Sequence, residues 1–411
     1  MKNLQIITLM LLLLASGTCP AYADGKNDYV NNQFNPITTG VTSLGIAPDA
    51  RGGGMGDLGV ATDPDVNSQY WNPAKYAFTE SKGGLSISYT PWLRKLVNDI
   101  NLAYMAGYWK FGRDGTDPQA ISATLRYFSL GSIQTTDEGG NVLSSVNPYE
   151  LAFDLGYSRK LSRSFSMAVV FRFIYSDLGY STDGASDVKG APAFAADIAG
   201  YQTLYPIVGR SECQWSWGFN ISNIGTKVSY DGGTNSAFLP ANLRLGTSFK
   251  FLVADYHTIA LSVDLNKLLV PAAPRQSDYL DAEGNYDTQA YEAAKDDYNN
   301  MSSISGIFKS FSDAPGGFKE ELREIQVSAG LEYSFNRQFF ARMGYYYENK
   351  YKGNRQYLTF GAGFSLNVFS LDAAYVLATA QSSPLDQTLR FSLAFDMAGL
   401  KDMIGHKRGR R

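Results

Sequence analysis

Beyond residue 23 the chain lacks any run approaching the ~18 apolar residues of a membrane-spanning helix, although 44% of its 411 residues are hydrophobic. Its mean hydropathy is only -0.20, so the apolar residues are dispersed, and helical membrane architectures are excluded. Cysteine and histidine are equally scarce, with Cys19, Cys213, His257 and His406 the full complement. No metal-ligand set can be assembled from them. His257 adjoins a short turn and His406 lies in the tail, so neither suggests a catalytic constellation. No enzyme, metal or cofactor is expected. A net charge of -3 leaves no basic surface for nucleic acid. Only Lys401 and the stretch from Lys407 to Arg411 are strongly basic, and 397–411 is expected to be a solvated periplasmic tail.

The amino terminus has a recognisable form. Lys2, the apolar run from Leu9 to Ala15 and the small-residue site Ala21-Tyr22-Ala23 make residues 1–23 a secretory signal peptide. Cleavage after Ala23 removes Cys19 and leaves one unpaired cysteine. A lipoprotein reading would acylate Cys19, but Thr18 is a poor residue before such a cleavage.

What the chain has in abundance is aromatics, at 14%, and 40 glycines, a combination that suits many strands with aromatic girdles and turns. From Gly84 onward period-two alternation recurs fourteen times. The first strand sets Leu85, Ile87 and Tyr89 against Ser86, Ser88 and Thr90; the second is expected to face lipid with Ile100, Leu102, Tyr104, Ala106 and Tyr108. Later lipid-facing sets include Ile121, Leu125 and Tyr127, then Val169, Phe171 and Phe173, and finally Phe391, Leu393 and Phe395. Cys213 shares the lipid-facing register of Trp215.

Charges fall on the opposite faces, among them Arg126, Asp154, Arg172, Asp197, Arg244 and Asp264. Further along the chain Glu332, Arg342, Asp372 and Arg390 do the same. That is the apolar-out, polar-in arrangement of an outer-membrane barrel, where a charge facing lipid near the midplane costs about 2–4 kcal/mol. Connection lengths sort by parity. Those at 129–149, 176–192, 224–241 and 268–323 are long and expected to be external, whereas Lys160 to Ser164, Pro206 to Arg210 and Asn336-Arg337 are tight. The fold class expected is therefore all-β, a 14-stranded antiparallel transmembrane β-barrel over 84–396.

Ahead of the first strand lies ARGGGMGDLGVATDPDVNSQYWNPAKYAF, residues 50–78. Gly52, Gly53, Gly54, Gly56 and Gly59 disfavour regular structure. The run lacks the Gly-Lys-Ser/Thr of a phosphate loop, and no strand precedes it as a dinucleotide fingerprint requires. Asn72 and Pro73 read as a rigid corner. The string resembles the N-terminal hatch of FadL-like outer-membrane barrels. Within that superfamily Ala50 to Asp57, Asn67-Ser68 and Tyr70 to Ala74 look most like the PorV family of the type IX secretion system, with PorQ-like and PorP-like barrels as close competitors.

The resemblance implies that residues 24–83 form an N-terminal segment and hatch plugging the lumen from the periplasmic side, with Arg51 and Asp57 pairing inward charges. It also implies a non-enzymatic carrier in the outer membrane of a Gram-negative bacterium. Such a carrier would collect cargo bearing a C-terminal secretion domain at a large outer-membrane translocon barrel and deliver it to a surface sortase complex. The alternative is a FadL-like transporter of fatty acids or other hydrophobic compounds. The inward positions, largely Ser, Gly, Ala, Asn and charge, offer no obvious apolar cavity for that role.

The loop at 268–323 is far longer than connections without a role of their own. Its middle is acidic, and Ile304, Ile307, Phe308 and Phe311 recur at helical spacing before the stretch Asp313 to Phe318 is expected to end the helix. That apolar face either packs over the barrel mouth or docks another protein. Ile304, Ile307, Phe308, Phe311 and Phe318 are the candidate partner-binding residues.

Overall fold

The computed structural model describes residues 34–95, 97, 99–112, 117–136, 142–178, 190–208, 211–231, 236–279, 286–366, 368–379, 383, 385–397, 399 and 400. The signal peptide and the basic tail beyond Leu400 lie outside the described residues. The strands begin with β1 (Gly83–Pro91), β2 (Ile100–Phe111), β3 (Gln119–Leu130), β4 (Ile133–Thr136), β5 (Val142–Val146) and β6 (Tyr149–Lys160). Next come β7 (Phe165–Asp177), β8 (Ala191–Leu204), β9 (Ile207–Val208), β10 (Ser211–Gly225), β11 (Asn242–Ala254) and β12 (His257–Leu268). Beyond the long loop are β13 (Gln326–Phe335), β14 (Phe339–Tyr347), β15 (Gln356–Leu366), β16 (Phe369–Ala378) and β17 (Leu389–Asp396).

Fourteen of these pair antiparallel in sequence order, and the ring closes where β1 meets β17, with Ile87 opposite Leu393. Closure leaves no unpaired edge, which a strand structure in hydrocarbon requires. The hairpin β4–β5 and the short β9 lie in connections and add nothing to the wall. Turn chemistry explains the tight ends. Asn336 and Arg337 both sit at φ 53, the left-handed centre of a tight turn that the Gln338 N–H closes on the Phe335 carbonyl (3.0 Å).

The outward faces carry apolar side chains as the alternation predicts, with Ile87, Ile121, Val169, Phe171 and Phe339 each more than half exposed. Arg126, Asp154, Arg172, Asp197, Asp264, Arg342 and Arg390 are buried on the inner face. One strand is out of phase with the reading above. In β2 Leu102, Tyr104, Ala106 and Tyr108 are buried inside, and Met105, Trp109 and Phe111 face out. Both faces of β2 are apolar, so alternation alone cannot choose between them. Packing does: Tyr108 stacks on Tyr76 at 4.8 Å, and Tyr104 and Ala106 join Ala47, Tyr70 and Trp71. Cys213 is buried rather than lipid-exposed.

The segment before β1 does not stay at the short-turn end. The Asn35 N–H donates to the Tyr351 carbonyl (2.7 Å) in the β14–β15 connection, and the Gly40 N–H to the Phe238 carbonyl (2.9 Å) in the β10–β11 connection, both at the long-loop end. The chain then crosses the lumen through the largely buried residues 41–79 and leaves at the short-turn end, where the Ser81 hydroxyl meets Asp396 at 2.5 Å. It therefore spans the lumen, because polar wall side chains are available to it at every level.

Candidate functional site

Four short helical elements hold the lumenal segment: Thr42–Gly45, Ala50–Gly53, Ser68–Trp71 and Pro73–Phe78. Asp49 caps the second, accepting from the Gly52 N–H (2.8 Å) and the Trp71 indole N–H (2.6 Å). Asn72 caps the last, where Pro73 needs no donor, and its side-chain oxygen accepts from the Ala74 N–H (3.1 Å). Its amide nitrogen donates to Val60 (3.0 Å) and to Gly200 of β8 (2.9 Å), so this corner is fixed to the wall.

Arg51 lies in a chain of charges. Its Nε and one terminal nitrogen form a bidentate pair with Glu332 of β13 (3.1 and 3.0 Å), and another nitrogen meets Asp65 at 2.8 Å. Glu332 also pairs with Arg342 (2.6 Å), which reaches Asp372 (2.5 Å). Asp57 pairs with Arg390 of β17 and accepts from the Tyr357 hydroxyl (2.6 Å). On the opposite wall Arg172 joins Asp154 (2.7 Å) and Asp197 (3.0 Å). The expected partnership of Arg51 and Asp57 with inward charges is thus present in the geometry.

Glycine is required where backbone meets backbone. Gly56 has φ 82, and a Cβ there would lie 2.7–2.9 Å from the backbone of Tyr345. A Cβ on Gly54 would meet the Gly361 Cα at 3.0 Å, whereas Gly52 and Gly53 make room for the Trp71 ring and the Arg390 side chain. Two cavities flank the segment, about 300 Å³ at the long-loop end and about 570 Å³ at the short-turn end.

Above the barrel the long loop folds into Thr288–Asn300, Ser303–Lys309 and Phe318–Arg323. The first helix, capped by Asp287 on the Ala290 N–H (2.9 Å), is not marked by apolar spacing and is absent from the sequence reading. The second is shorter than expected. It stops at Lys309, Phe311 lies beyond it, and Phe318 opens the third helix rather than closing the second, after Gly317 at φ 68 turns the chain.

That third helix is pinned by acids the sequence reading passed over. Lys352 pairs with Glu320 (2.5 Å) and Glu324 (3.0 Å), Lys267 with Glu321 (2.9 Å) and Glu324 (2.5 Å), and Asn35 donates to Glu320 (3.3 Å). Burial alone would raise the Glu320 carboxyl, but the Lys352 ammonium and the Gly316 N–H hold it below the usual carboxylate range. Burial does raise Asp313, against the Ala272 N–H that it accepts. A one-sided acid stripe at 320, 321 and 324 was the signal in the sequence. On the other side Phe318 is 76% and Leu322 52% exposed, as are Ile304 at 64%, Phe308 at 74% and Phe311 at 50%; Ile307 is half-buried.

Among solved structures the chain is similar to the Pseudomonas putida toluene transporter TodX, at 12% identity over 89% of this chain and 99% of that one, with a TM-score of 0.46. It is also similar to the Ralstonia pickettii toluene transporter TbuX (12% identity, 85% and 96% covered, TM-score 0.42). A Pseudomonas aeruginosa FadL homologue gives 11% identity, 88% and 99% covered, and a TM-score of 0.40. Likeness this distant says nothing about what the chain carries. No curated protein matches it. The profile of the type IX secretion system protein PorV matches residues 29–275, more than half of the sequence. The chain therefore belongs to the PorV family, a component of the type IX secretion system.

Proposed function

We propose that this barrel is a carrier, which binds secreted cargo through its C-terminal domain and moves it from the translocon barrel to a surface sortase complex. The long loops face the cell exterior in this reading, the short turns and basic tail face the periplasm, and the lumenal segment serves as a hatch. The observation that carries it is the row of apolar side chains Ile304, Phe308, Phe311, Phe318 and Leu322, half or more exposed on one loop. Exposed large apolar side chains gathered on one loop favour a protein partner. Its support is the Lys267 and Lys352 cluster, which pins the third helix and leaves Phe318 and Leu322 in the open.

The transporter alternative fits the lumen less well. Ion pairs run from Arg51 in the segment through Glu332 and Arg342 to Asp372 on the wall, and moving a hydrocarbon past them would strand buried charges at several kcal/mol each. Deleting residues 287–318 separates the two readings. The carrier reading expects cargo display to fail while the barrel still assembles and outer-membrane permeability is unchanged. Normal display would count against it.

A further inference from the structure

The cavity at the long-loop end is lined by groups whose hydrogen-bonding capacity is unspent. Arg244 of β11 is buried, and among the described residues it forms no ion pair. It donates to the Tyr70 carbonyl (3.0 Å) and hydroxyl (2.9 Å), and its guanidinium lies over the Tyr70 and Trp71 rings at 4.4 and 5.4 Å. The acids around the same cavity are already engaged: Asp57 by Arg390, Glu324 by two lysines, Glu348 by Arg355. Asp264, the next inward acid on β12, turns Oδ2 to the Gly59 and Val60 N–H groups (2.8 and 3.0 Å); its Oδ1 has no hydrogen-bond partner among the described residues, and the carboxylate lies near Arg244 without an ion-pair contact. Of the cations lining this cavity, Arg244 is the one without an ion-pair contact among the described residues.

Next to it stand two side-chain amides, Asn242 on β11 and Asn266 on β12, the latter directly opposite Arg244 in the ladder. Both line the cavity, Asn266 is 7% exposed, and both side-chain oxygens lack a partner among the described residues. An unpaired buried amide costs roughly 1–3 kcal/mol unless something satisfies it. Rotation about the last side-chain bond exchanges its oxygen and nitrogen, so each amide offers either a donor or an acceptor.

We propose that this cavity binds a small carboxylate bearing its own hydrogen-bond donors, as a free amino or hydroxy acid or as the C-terminal end of a peptide. One unpaired guanidinium matches one negative charge. The two amides match N–H or O–H groups beside the carboxylate, and the Trp71 and Tyr357 rings bound a volume of about 300 Å³, at the small end of ligand pockets. A phosphate dianion is disfavoured by Asp57, Glu324 and Glu348 in the same wall, and a fatty acid would leave both amides unsatisfied. The site rests on Arg244, Asn242 and Asn266 of the wall and does not draw on the exposed apolar side chains of the loop.

The test is titration calorimetry on the full-length protein in detergent with three probes: L-serine, a Gly-Ser-Gly-Ser tetrapeptide with a free C-terminus, and the same tetrapeptide as its amide. The free acid is expected to bind at least about tenfold more tightly than the amide. Binding of serine alone assigns the site to a free acid, and binding of the tetrapeptide acid alone assigns it to a chain end; either supports the site. R244Q is expected to abolish binding. Because Arg244 also holds Tyr70, the variant N266A, which removes no hydrogen bond present in the structure, is measured beside it and is expected to weaken binding about tenfold. Equal affinity for acid and amide, no binding of any probe at millimolar concentration, or unchanged affinity in a folded N266A variant would overturn the proposal.

Discussion

Two regions of this molecule treat their side chains in opposite ways. Inside the barrel most of the segment from Val41 to Thr79 is buried, and its polar groups are met by partners within the segment and on the wall. At the mouth the helix Phe318–Arg323 buries its acids and leaves Phe318 and Leu322 in the open. A region that satisfies itself needs no partner, and one that buries its charges but exposes its phenylalanines has a surface to spare. The difference favours the loop as the surface for a protein partner, as proposed above.

The contrast breaks hardest where the lumen has no slack. Gly56→Val combines a branched side chain at φ 82 with a clash against the Tyr345 backbone, and it should cost about 1–3 kcal/mol from overpacking with backbone strain added. The midpoint of urea unfolding, followed by heat-modifiable migration, reads this out. Glu332→Leu is of the same order. It leaves Arg51 and Arg342 facing each other without their shared acid, a loss of about 3–5 kcal/mol for a broken buried pair, and an R51L/E332L double variant should recover part of it. A single E332L as stable as the parent would mean that the charge chain does not hold the segment.

How much of this was legible beforehand differs between the same two regions. The fourteen strands could be read because period two is enforced by lipid on one side, and charges such as Arg172 and Arg390 mark the other. Phase failed only in β2, where lumenal packing against Tyr76 and Trp71 makes the inner face apolar too. Arg51 and Asp57 could be picked out in the hatch string, but their partners Glu332 and Arg390 lie 281 and 333 residues away, a pairing that local spacing does not encode. In the loop the apolar periodicity located Ile304 to Phe311, whereas the helix Thr288–Asn300 has no buried residue to impose a pattern.

A smaller effect sharpens the comparison through pH. Glu320 has its folded pKa below the usual 4.5, so its contribution is present above the unfolded value and lost as pH falls through the folded one. The mouth helix should therefore loosen below about pH 4.5, seen as faster amide exchange across 314–325, and E320Q should show that exchange already at pH 7. The smallest expected effect on stability is at the exposed apolar side chains. Serine at Phe308 and Phe318 should change the unfolding midpoint by no more than about 0.5 kcal/mol, because neither side chain is buried.

The measurement that bears most directly on the account is surface display of cargo in cells whose barrel carries serine at Ile304, Phe308, Phe311, Phe318 and Leu322 together, with heat-modifiable migration run on the same membranes. The account predicts a folded barrel in normal amount and cargo lost from the surface. A folded barrel with cargo displayed at the parental level would contradict it.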